Sequence, residues 1–297
     1  MSDQGMKFLL PVDFTEITNG LLRLVKALAQ PHKASVTLLH VISPILYLPY
    51  PESFGMSVVD LELLSDMEKK KEEEATQKLK GLADFLKPVP ANMVVDIGDP
   101  AEVILEKESS YDLLIMGSHR KGLIEKILVG STAEKVARYT KRPLLVMKGK
   151  EVEDFKKVVV AHDLSKYAQE AFEFALKLLK PFKCHITLLH AEETIELPVV
   201  AHVRDVISER YKEEKLKYLD SLKEKAQGGG FECDVKVVKG RSSAEALLEY
   251  LKDKTDIDLI VMGSRGLSTL QRVLLGSTSS EVLRKAQLPI LIHRSLQ

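Results

Sequence analysis

The chain alternates short apolar runs with longer segments in which apolar residues recur every three or four positions. Strands buried on both faces of a parallel sheet have the first pattern, and amphipathic helices have the second. The first half predicts strands at residues 7–12, 35–41, 93–97, 112–116 and 143–147, and helices at 16–29, 58–87, 100–109 and 131–141. This βαβαβαβαβ order is typical of a doubly wound α/β domain.

The second half of the chain repeats the first. Residues 7–13 match residues 157–163 at an offset of 150 positions, as 34–41 match 184–191. Later blocks match at an offset of 146: residues 112–117, 128–132 and 142–146 recur as 258–263, 274–278 and 288–292. Because the period has the length of a whole domain, we predict a fused duplication, with one domain at 1–149 and a second at 150–297. The boundary falls in the charged stretch 148–155.

Composition and charge narrow the class of protein. The chain has 297 residues, 45% hydrophobic and 29% charged, and its formal net charge is +0. This balance is that of an ordinary globular protein, and argues against nucleic acid or a membrane as the main partner. The two cysteines, Cys184 and Cys233, lack metal-ligand spacing and are expected to be free thiols. With no signal-peptide profile and no apolar run of about 18 residues, a cytoplasmic location is expected.

A loop rich in glycine and hydroxyl residues follows the fourth strand of the second repeat. It begins at Met262-Gly263, includes Arg265 and Gly266, and ends at Gly276-Ser277-Thr278. Glycine can adopt positive φ and lets backbone N–H groups approach a ligand closely. Thr278 and Glu281 have capping-box spacing, which predicts that a helix begins here. The N-terminus of a helix is a ready site for an anion.

A carboxylate follows the first strand of each repeat, at Asp13 and Asp163. If the first and fourth strands are neighbours at the switch point of the sheet, Asp163 and the glycine loop open onto the same crevice. The carboxylate would then accept hydrogen bonds from a sugar or a base while the loop holds phosphates. The alternative is that each aspartate only caps a turn. His119 and His162 lie at the crevice as candidate ligand contacts, whereas His40 and His190 end buried strands and are expected to be satisfied core histidines.

The loop is neither a Walker A motif nor a GxGxxG dinucleotide fingerprint. It resembles the universal stress protein family, whose ATP-binding members carry G-x2-G-x9-G-[ST]. The residues that meet this motif are Gly263, Gly266, Gly276 and Ser277. The resemblance covers the whole chain, once per repeat, and includes the Asp after the first strand, the His ending the second and the Met-Gly ending the fourth.

The resemblance implies a Rossmann-like, adenine nucleotide alpha-hydrolase-like fold with strand order 3-2-1-4-5 in each five-stranded parallel sheet. It also implies an adenine-nucleotide site for ATP, ADP or AMP, with Mg²⁺ left open, in which Val41 and Ala191 line the adenine. The candidate residues of the second repeat are Ala161, His162, Asp163, Ala191, Met262, Gly263, Arg265, Gly266, Gly276, Ser277 and Thr278. Those of the first repeat are Pro11, Val12, Asp13, Val41, Met116, Gly117, His119, Arg120, Gly130, Ser131 and Thr132.

The first repeat departs from the family motif at one position, where Arg120 replaces glycine. Its side chain would either block close approach of the backbone to phosphate or supply a charge to it, with Gly122 taking the turn. The second repeat departs more mildly, with Ala161-His162 where the first has Pro11-Val12.

Both predicted fifth strands, 143–147 and 289–293, are apolar, and an exposed apolar edge invites aggregation. We therefore predict that they pair with each other within the chain, as the fifth strands of two domains do antiparallel in the family. A homodimer of chains is expected from the resemblance alone.

Three classes of function compete for this sequence: a nucleotide-binding regulatory protein, a slow ATPase or nucleotidyl-transfer enzyme, and a dimerisation scaffold with non-functional sites. An efficient hydrolase needs a positioned base and a charge clamp. Neither repeat has a lysine at the start of the helix after the glycine loop or a second acidic metal ligand nearby. The first class is favoured: no enzymatic activity is expected, with slow ATP hydrolysis left open.

Overall fold

The structure is a computed structural model that describes residues 5–44, 61–118, 129–194, 201–265 and 275–294. Four residues of the predicted loops lie outside the described residues: His119, Arg120, Gly122 and Gly266. The roles that the sequence suggests for them therefore stay predictions.

Strands and helices alternate along each half, which confirms the predicted α/β class. The first half contains β1 Lys7–Pro11, α1 Ile17–Ala29, β2 Ser35–Ile42, α2 Leu61–Leu86, β3 Ala91–Ile97, α3 Pro100–Lys107, β4 Leu113–Gly117, α4 Ser131–Tyr139 and β5 Leu144–Met147. The second half contains β6 Lys157–Ala161, α5 Lys166–Leu179, β7 His185–Glu193, α6 Ala201–Gly228, β8 Glu232–Gly240, α7 Ser243–Leu251, β9 Leu259–Gly263, α8 Ser277–Lys285 and β10 Ile290–His293.

The ten strands form one sheet in the order β3-β2-β1-β4-β5-β10-β9-β6-β7-β8. Each half therefore has the order 3-2-1-4-5, as the resemblance implied, and within each half neighbouring strands are parallel. The two halves meet where β5 and β10 pair antiparallel, with Leu145 opposite Leu291. Because this pairing is antiparallel, the carboxyl ends of the strands point in opposite directions in the two halves.

Helices cover both faces of the sheet and bury a core on each. One core packs α1, α2, α5 and α6 against the sheet, and the other packs α3, α4, α7 and α8. Each core contains residues of both halves, so the apolar packing runs without interruption across the β5–β10 pairing.

Local signals in the sequence explain several helix ends. Asp99 caps α3, because its Oδ1 accepts a hydrogen bond from the Glu102 N–H at 3.0 Å, and Pro100 is the first helical residue. Helix α6 ends at Gly228, and Gly230 adopts a φ of +90°, which favours glycine. The free thiols of Cys184 and Cys233 are both buried, as expected.

Two buried cations join the halves in a reciprocal arrangement. Lys148, directly after β5, is fully buried, and its Nζ donates to the carbonyl oxygens of Leu283 and Arg284, at 2.5 and 3.2 Å, at the end of α8. Arg294, directly after β10, donates to the carbonyl oxygens of Ala137 and Arg138 near the end of α4. Each cation thus meets the partially negative C-terminal end of a helix in the other half.

The charged stretch that links the halves is packed against the protein. Val152 and Phe155 belong to one of the two cores. Lys150 pairs with Asp258 at 2.7 Å, and the same carboxylate accepts the backbone N–H groups of Lys156 and Lys157. The stretch therefore fixes the start of β6 beside β9.

Burial lowers the pKa of Lys148 from its ordinary value of 10.5 to about 8. Replacement by Met leaves two carbonyl oxygens without their donor, and we expect the free energy of unfolding at pH 7 to fall by about 2 kcal/mol. Because the unfolded chain binds more protons here than the folded one between pH 8 and 10.5, Lys148 adds stability as the pH rises through that window. The deficit of Lys148→Met should therefore be larger at pH 9.5 than at pH 7.

Urea unfolding of the full chain at the two pH values measures both effects. Lys252→Met is the matched control, because Lys252 is an exposed lysine at the end of α7. Its ion pair with Glu249, three residues earlier, is exposed as well. A Lys148→Met chain as stable as the wild type at both pH values would contradict this role of Lys148.

Candidate functional site

A cavity of about 350 Å³ opens at the carboxyl ends of β6, β7 and β9, in front of the N-termini of α7 and α8. Strands β7 and β9 lie on either side of β6, so this is the switch point of the second half, where ligands bind in open α/β sheets. Its size suits a small-molecule ligand. It is lined by Ala161, His162, Asp163, Ala168, Leu189, His190, Ala191, Glu193, Ser243, Leu247, Met262, Gly263, Arg265, Gly276, Ser277, Thr278 and Ser279.

All the second-repeat candidates except Gly266, which lies outside the described residues, line this cavity. Three polar residues on its wall are absent from the sequence-based candidates: Glu193, Ser243 and Ser279. Glu193 stands two positions after Ala191 and ends β7, a position at which side chains of a parallel sheet reach the crevice. Ser243 opens α7. Neither Glu193 nor Ser243 belongs to the glycine motif, so only the position of each residue at the end of a strand or at the start of a helix could have indicated that it lines the cavity.

The loop after the first strand has the same unusual backbone in both halves. Leu164 and Phe14 have φ values of +66° and +58°, in the left-handed region that residues with a Cβ seldom adopt. Each follows the aspartate that both repeats share, whose Oδ1 accepts the backbone N–H two residues on: Ser165 for Asp163, and Thr15 for Asp13, each at 3.1 Å. Both aspartates therefore cap a turn, and Asp163 lines the cavity as well.

The strand-ending histidines hold this loop in place. Nδ1 of His190 bonds the carbonyl oxygen of His162 at 2.7 Å, and Nδ1 of His40 bonds that of Val12 at 2.8 Å. Both histidines are satisfied by backbone, which confirms the prediction that they are structural. They tie the end of the second strand to the loop after the first.

His162, a candidate ligand contact in the sequence, lines the cavity and is nearly wholly buried. Its Nδ1 accepts the Leu164 N–H at 3.1 Å, and the ring lies 5.8 Å from that of Tyr218 on α6. Its Nε2 is buried and has no hydrogen-bond partner among the described residues. Burial lowers the pKa of His162 to about 4, so the imidazole is neutral at pH 7. A neutral imidazole cannot serve as a cation for phosphate.

Helix α8 begins two residues earlier than a capping box with Thr278 as its N-cap would require. Gly276 is the N-cap, with φ −65°, and no side chain caps the helix. The prediction of a capping box is therefore wrong, and Glu281 instead pairs with Lys285 at 2.6 Å. The start of α8 is fixed from β9: the Gly276 N–H donates to the Ser264 carbonyl at 2.8 Å, and Ser279 Oγ donates to the Gly263 carbonyl at 2.8 Å.

Gly263 is required for packing. A Cβ at this position would lie 2.9 Å from the carbonyl carbon and oxygen of Tyr167, at the start of α5. Gly117 is similar, since a Cβ there would lie 2.9 Å from Cγ2 of Ile17. The sequence suggests freedom of φ and close approach of a ligand as reasons for the loop glycines, whereas at Gly263 and Gly117 the reason is the close approach of a helix.

The two helix N-termini that face the cavity differ in charge. At α7, Ser242 Oγ accepts the Glu245 N–H at 3.1 Å, and Glu193 Oε1 accepts the Ser243 N–H at 3.2 Å. The positive end of α7 is thus already neutralised by the protein. At α8 no such carboxylate or cap is present among the described residues. An anion in the cavity is therefore favoured at α8.

Arg265 adds a positive charge on the α8 side of the cavity. Its guanidinium lies 5.5 Å from the centre of the Tyr167 ring, and one terminal nitrogen reaches the Tyr167 hydroxyl at 3.5 Å. Its Nε is buried without a hydrogen-bond partner in the described part of the chain. The side chain is therefore held by stacking, with donors left over for a ligand.

The first repeat presents the same framework at the opposite end of the sheet. Gly130 is the N-cap of α4 at φ −62° and has no side-chain cap, and Ser131 and Thr132 form the first turn. The remaining candidates follow the strands as in the second half: Pro11 and Val12 at the end of β1, Val41 on β2, and Met116 and Gly117 on β4. Its loop at His119 and Arg120 lies outside the described residues.

Comparisons with known proteins agree with the repeat. The model of the universal stress protein family matches residues 6–148 and again residues 154–294. Universal stress protein YxiE of Bacillus subtilis is 33% identical over 149 residues, which cover 47% of this chain and 99% of that protein. A universal stress protein of Mycolicibacterium smegmatis is 24% identical over 293 residues, covering 96% of each chain.

A solved structure has the same arrangement over its whole length. The crystal structure of a universal stress protein from Archaeoglobus fulgidus aligns with a TM-score of 0.71 and 25% identity, covering 97% of this chain and 98% of that one. The family model matches both halves of the sequence, and each half has the strand order 3-2-1-4-5. Together with these relatives, this shows that the chain belongs to the universal stress protein family.

Proposed function

We propose that this chain binds an adenine nucleotide and acts as a regulatory, stress-response protein whose nucleotide state is sensed by a partner. The observation on which the proposal rests is the cavity at the β6–β9 switch point, into which the uncapped start of α8 opens. Backbone N–H groups at such a helix start bind phosphate well. The family resemblance of the glycine loop supplies the adenine part of the proposal.

The chemistry of the cavity suggests one orientation for the nucleotide. Phosphates would lie against Ser277 and Thr278 at the start of α8, with Arg265 providing charge. Asp163 lines the cavity at the end of β6 and would accept from the ribose hydroxyls. The base would then lie toward Ala191 on β7, over apolar walls that include Leu247.

The ligand of the second site is proposed to be ATP, ADP or AMP, with Mg²⁺ accompanying the phosphates. In the described part of the chain, no group of three or more His, Cys, Asp or Glu side chains could hold a metal ion. Any Mg²⁺ would therefore be bound chiefly through phosphate oxygens. The first site is proposed to bind the same class of nucleotide.

Assembly and location belong to the same proposal. We infer a homodimer of chains from the family resemblance, and a cytoplasmic location from the free cysteines and the lack of a signal-peptide profile. Within the described residues, no helix is both long and apolar enough to span a bilayer. Nucleic acid is not proposed as a partner, since the net charge of +0 offers no electrostatic footprint for it.

Turnover separates this proposal from its rival, a slow ATPase or nucleotidyl transferase. Among the described residues the cavity wall includes no lysine, and Asp163 already uses one oxygen to cap its turn. We expect the full chain to hydrolyse ATP far more slowly than the ~1–10³ s⁻¹ of typical enzymes. Phosphate release from purified protein measures this rate. Turnover of several per second that disappears in Asp163→Ala would favour the enzyme.

The two sites should differ in affinity. The second repeat keeps all three motif glycines, whereas Arg120 replaces one in the first. A long side chain there displaces backbone donors from phosphate, and each lost donor to a charged group costs roughly 1.5–3 kcal/mol. We expect the second site to bind ATP about tenfold more tightly, because one guanidinium only partly replaces those donors. The first site should favour a shorter nucleotide such as AMP.

Titration calorimetry on full chains with one site closed tests binding and asymmetry together. Gly276→Val closes the second site and Gly130→Val the first, and both positions have φ values that valine can adopt. Gly81→Val is the control, because a Cβ at Gly81 meets nothing within 4 Å. Equal affinities of the two remaining sites would contradict the asymmetry. A wild-type chain that binds no nucleotide would favour a scaffold with non-functional sites.

A further inference from the structure

Glu193 lines the cavity on the side of β7, which β6 separates from β9, the strand that precedes α8. It ends β7, two residues after Ala191, and its Oε1 accepts both the backbone N–H and the Oγ–H of Ser243, at 3.2 and 3.1 Å. These two bonds hold the carboxylate against the first turn of α7. The side chain is thereby positioned on the cavity wall while it remains exposed to solvent.

The other oxygen of Glu193 remains available. Oε2 has no hydrogen-bond partner among the residues that the structure describes, and Glu193 is exposed at the mouth of the cavity. An ionised carboxylate only accepts hydrogen bonds. Oε2 therefore suits a hydrogen-bond donor of a ligand, and a hydrogen-bond acceptor of the ligand at the same position would be repelled.

The cavity fixes which part of a nucleotide comes near this carboxylate. Phosphates are favoured at the open start of α8, and Glu193 excludes them from the start of α7 by its charge. The base end of a nucleotide therefore lies on the Glu193 side. Among purine bases, adenine presents an exocyclic amine on the edge where hypoxanthine and guanine present a carbonyl oxygen.

We infer that Glu193 is the residue that selects a 6-amino purine over a 6-oxo purine in the second site. Its Oε2 accepts a hydrogen bond from the exocyclic amine and opposes a carbonyl at the same position. This inference rests on the proposed nucleotide-binding function and adds a source of base specificity to it. A site that loses a hydrogen bond and gains repulsion rejects an isosteric ligand strongly.

Glu193 has no acidic counterpart in the first repeat. The residue 150 positions earlier is Ser43, whose hydroxyl both donates and accepts. A hydroxyl satisfies an amine or a carbonyl equally. The first site should accordingly discriminate less between the two kinds of purine, so the inferred selection belongs to the second half of the chain.

Calorimetry with ATP and inosine triphosphate tests the inference, because these ligands differ at the 6-position of the base. The full chain carrying Gly130→Val exposes the second site alone. We expect it to favour ATP by roughly tenfold or more, the effect of one hydrogen bond to a charged group. Adding Glu193→Gln should reduce the preference to within about threefold, because the new side chain keeps an oxygen for Ser243 while its amide can donate to a carbonyl.

Glu249→Gln is the matched control, since Glu249 is an exposed glutamate on the same helix as Ser243 that does not line the cavity. It should leave the preference unchanged. A 2′-deoxy-ATP titration distinguishes a contact to the base from one to the ribose. If Glu193→Gln alters the ratio of ATP to 2′-deoxy-ATP and leaves that of ATP to inosine triphosphate intact, the inference is wrong.

The remaining outcomes separate the inference from the function beneath it. Equal binding of ATP and inosine triphosphate before the substitution would overturn the role of Glu193 and leave nucleotide binding standing. If the Gly130→Val chain binds neither nucleotide while circular dichroism shows native helix content, the proposed function of the second site fails as well.

Discussion

The antiparallel pairing of β5 with β10 is the constraint on which the rest of the molecule depends. It joins two parallel sheets into one of ten strands and removes the apolar edge that each half would otherwise expose. The apolar cores on both faces run across it. Lys148 donates to carbonyl groups at the C-terminal end of α8, and Arg294 donates to carbonyl groups at the C-terminal end of α4. Each buried cation therefore has acceptors in the opposite half.

The same pairing separates the two crevices. Because the halves run antiparallel, the carboxyl ends of their strands lie at opposite ends of the sheet, and the described wall of the second crevice comes wholly from its own half. A substitution in one loop therefore leaves the framework of the other intact. This independence is consistent with the divergence seen in the sequence, where Arg120 replaces a motif glycine and Ser43 stands in place of Glu193.

The second crevice depends on a rigid connection between β9 and α8. Ser264 and Gly263 accept hydrogen bonds from Gly276 and Ser279, so the helix start is fixed directly to the sheet. On the other side, His190 fixes the loop that contains Asp163. The donors at α8 are consequently held in place by the protein, so the proposed ligand would bind at a lower entropic cost.

The sequence was sufficient for the repeat, the element order and most of the cavity wall, because those features follow from hydrophobic periodicity and short motifs. Asp99 as N-cap and His190 as a satisfied core residue were also predictable from local sequence. Other features depend on contacts between distant residues. The burial of His162 against Tyr218 and the reciprocal role of Lys148 needed the packed structure.

Two errors have local physical causes. The capping-box spacing at Thr278 suggested a later helix start, but hydrogen bonds from β9 fix Gly276 as the N-cap. The glycine at 263 was attributed to ligand approach, whereas the backbone of Tyr167 occupies the space that a Cβ would need. Glu193 was missed because only the fold places the end of β7 beside the start of α7.

The most direct test of the account is a crystal structure of the full chain with a non-hydrolysable ATP analogue. The account predicts phosphate oxygens within hydrogen-bonding distance of the Ser277 and Thr278 backbone N–H groups, with the base on the side of Ala191. Phosphates found at the start of α7 beside Glu193, or a nucleotide bound outside the β6–β9 cavity, would contradict it.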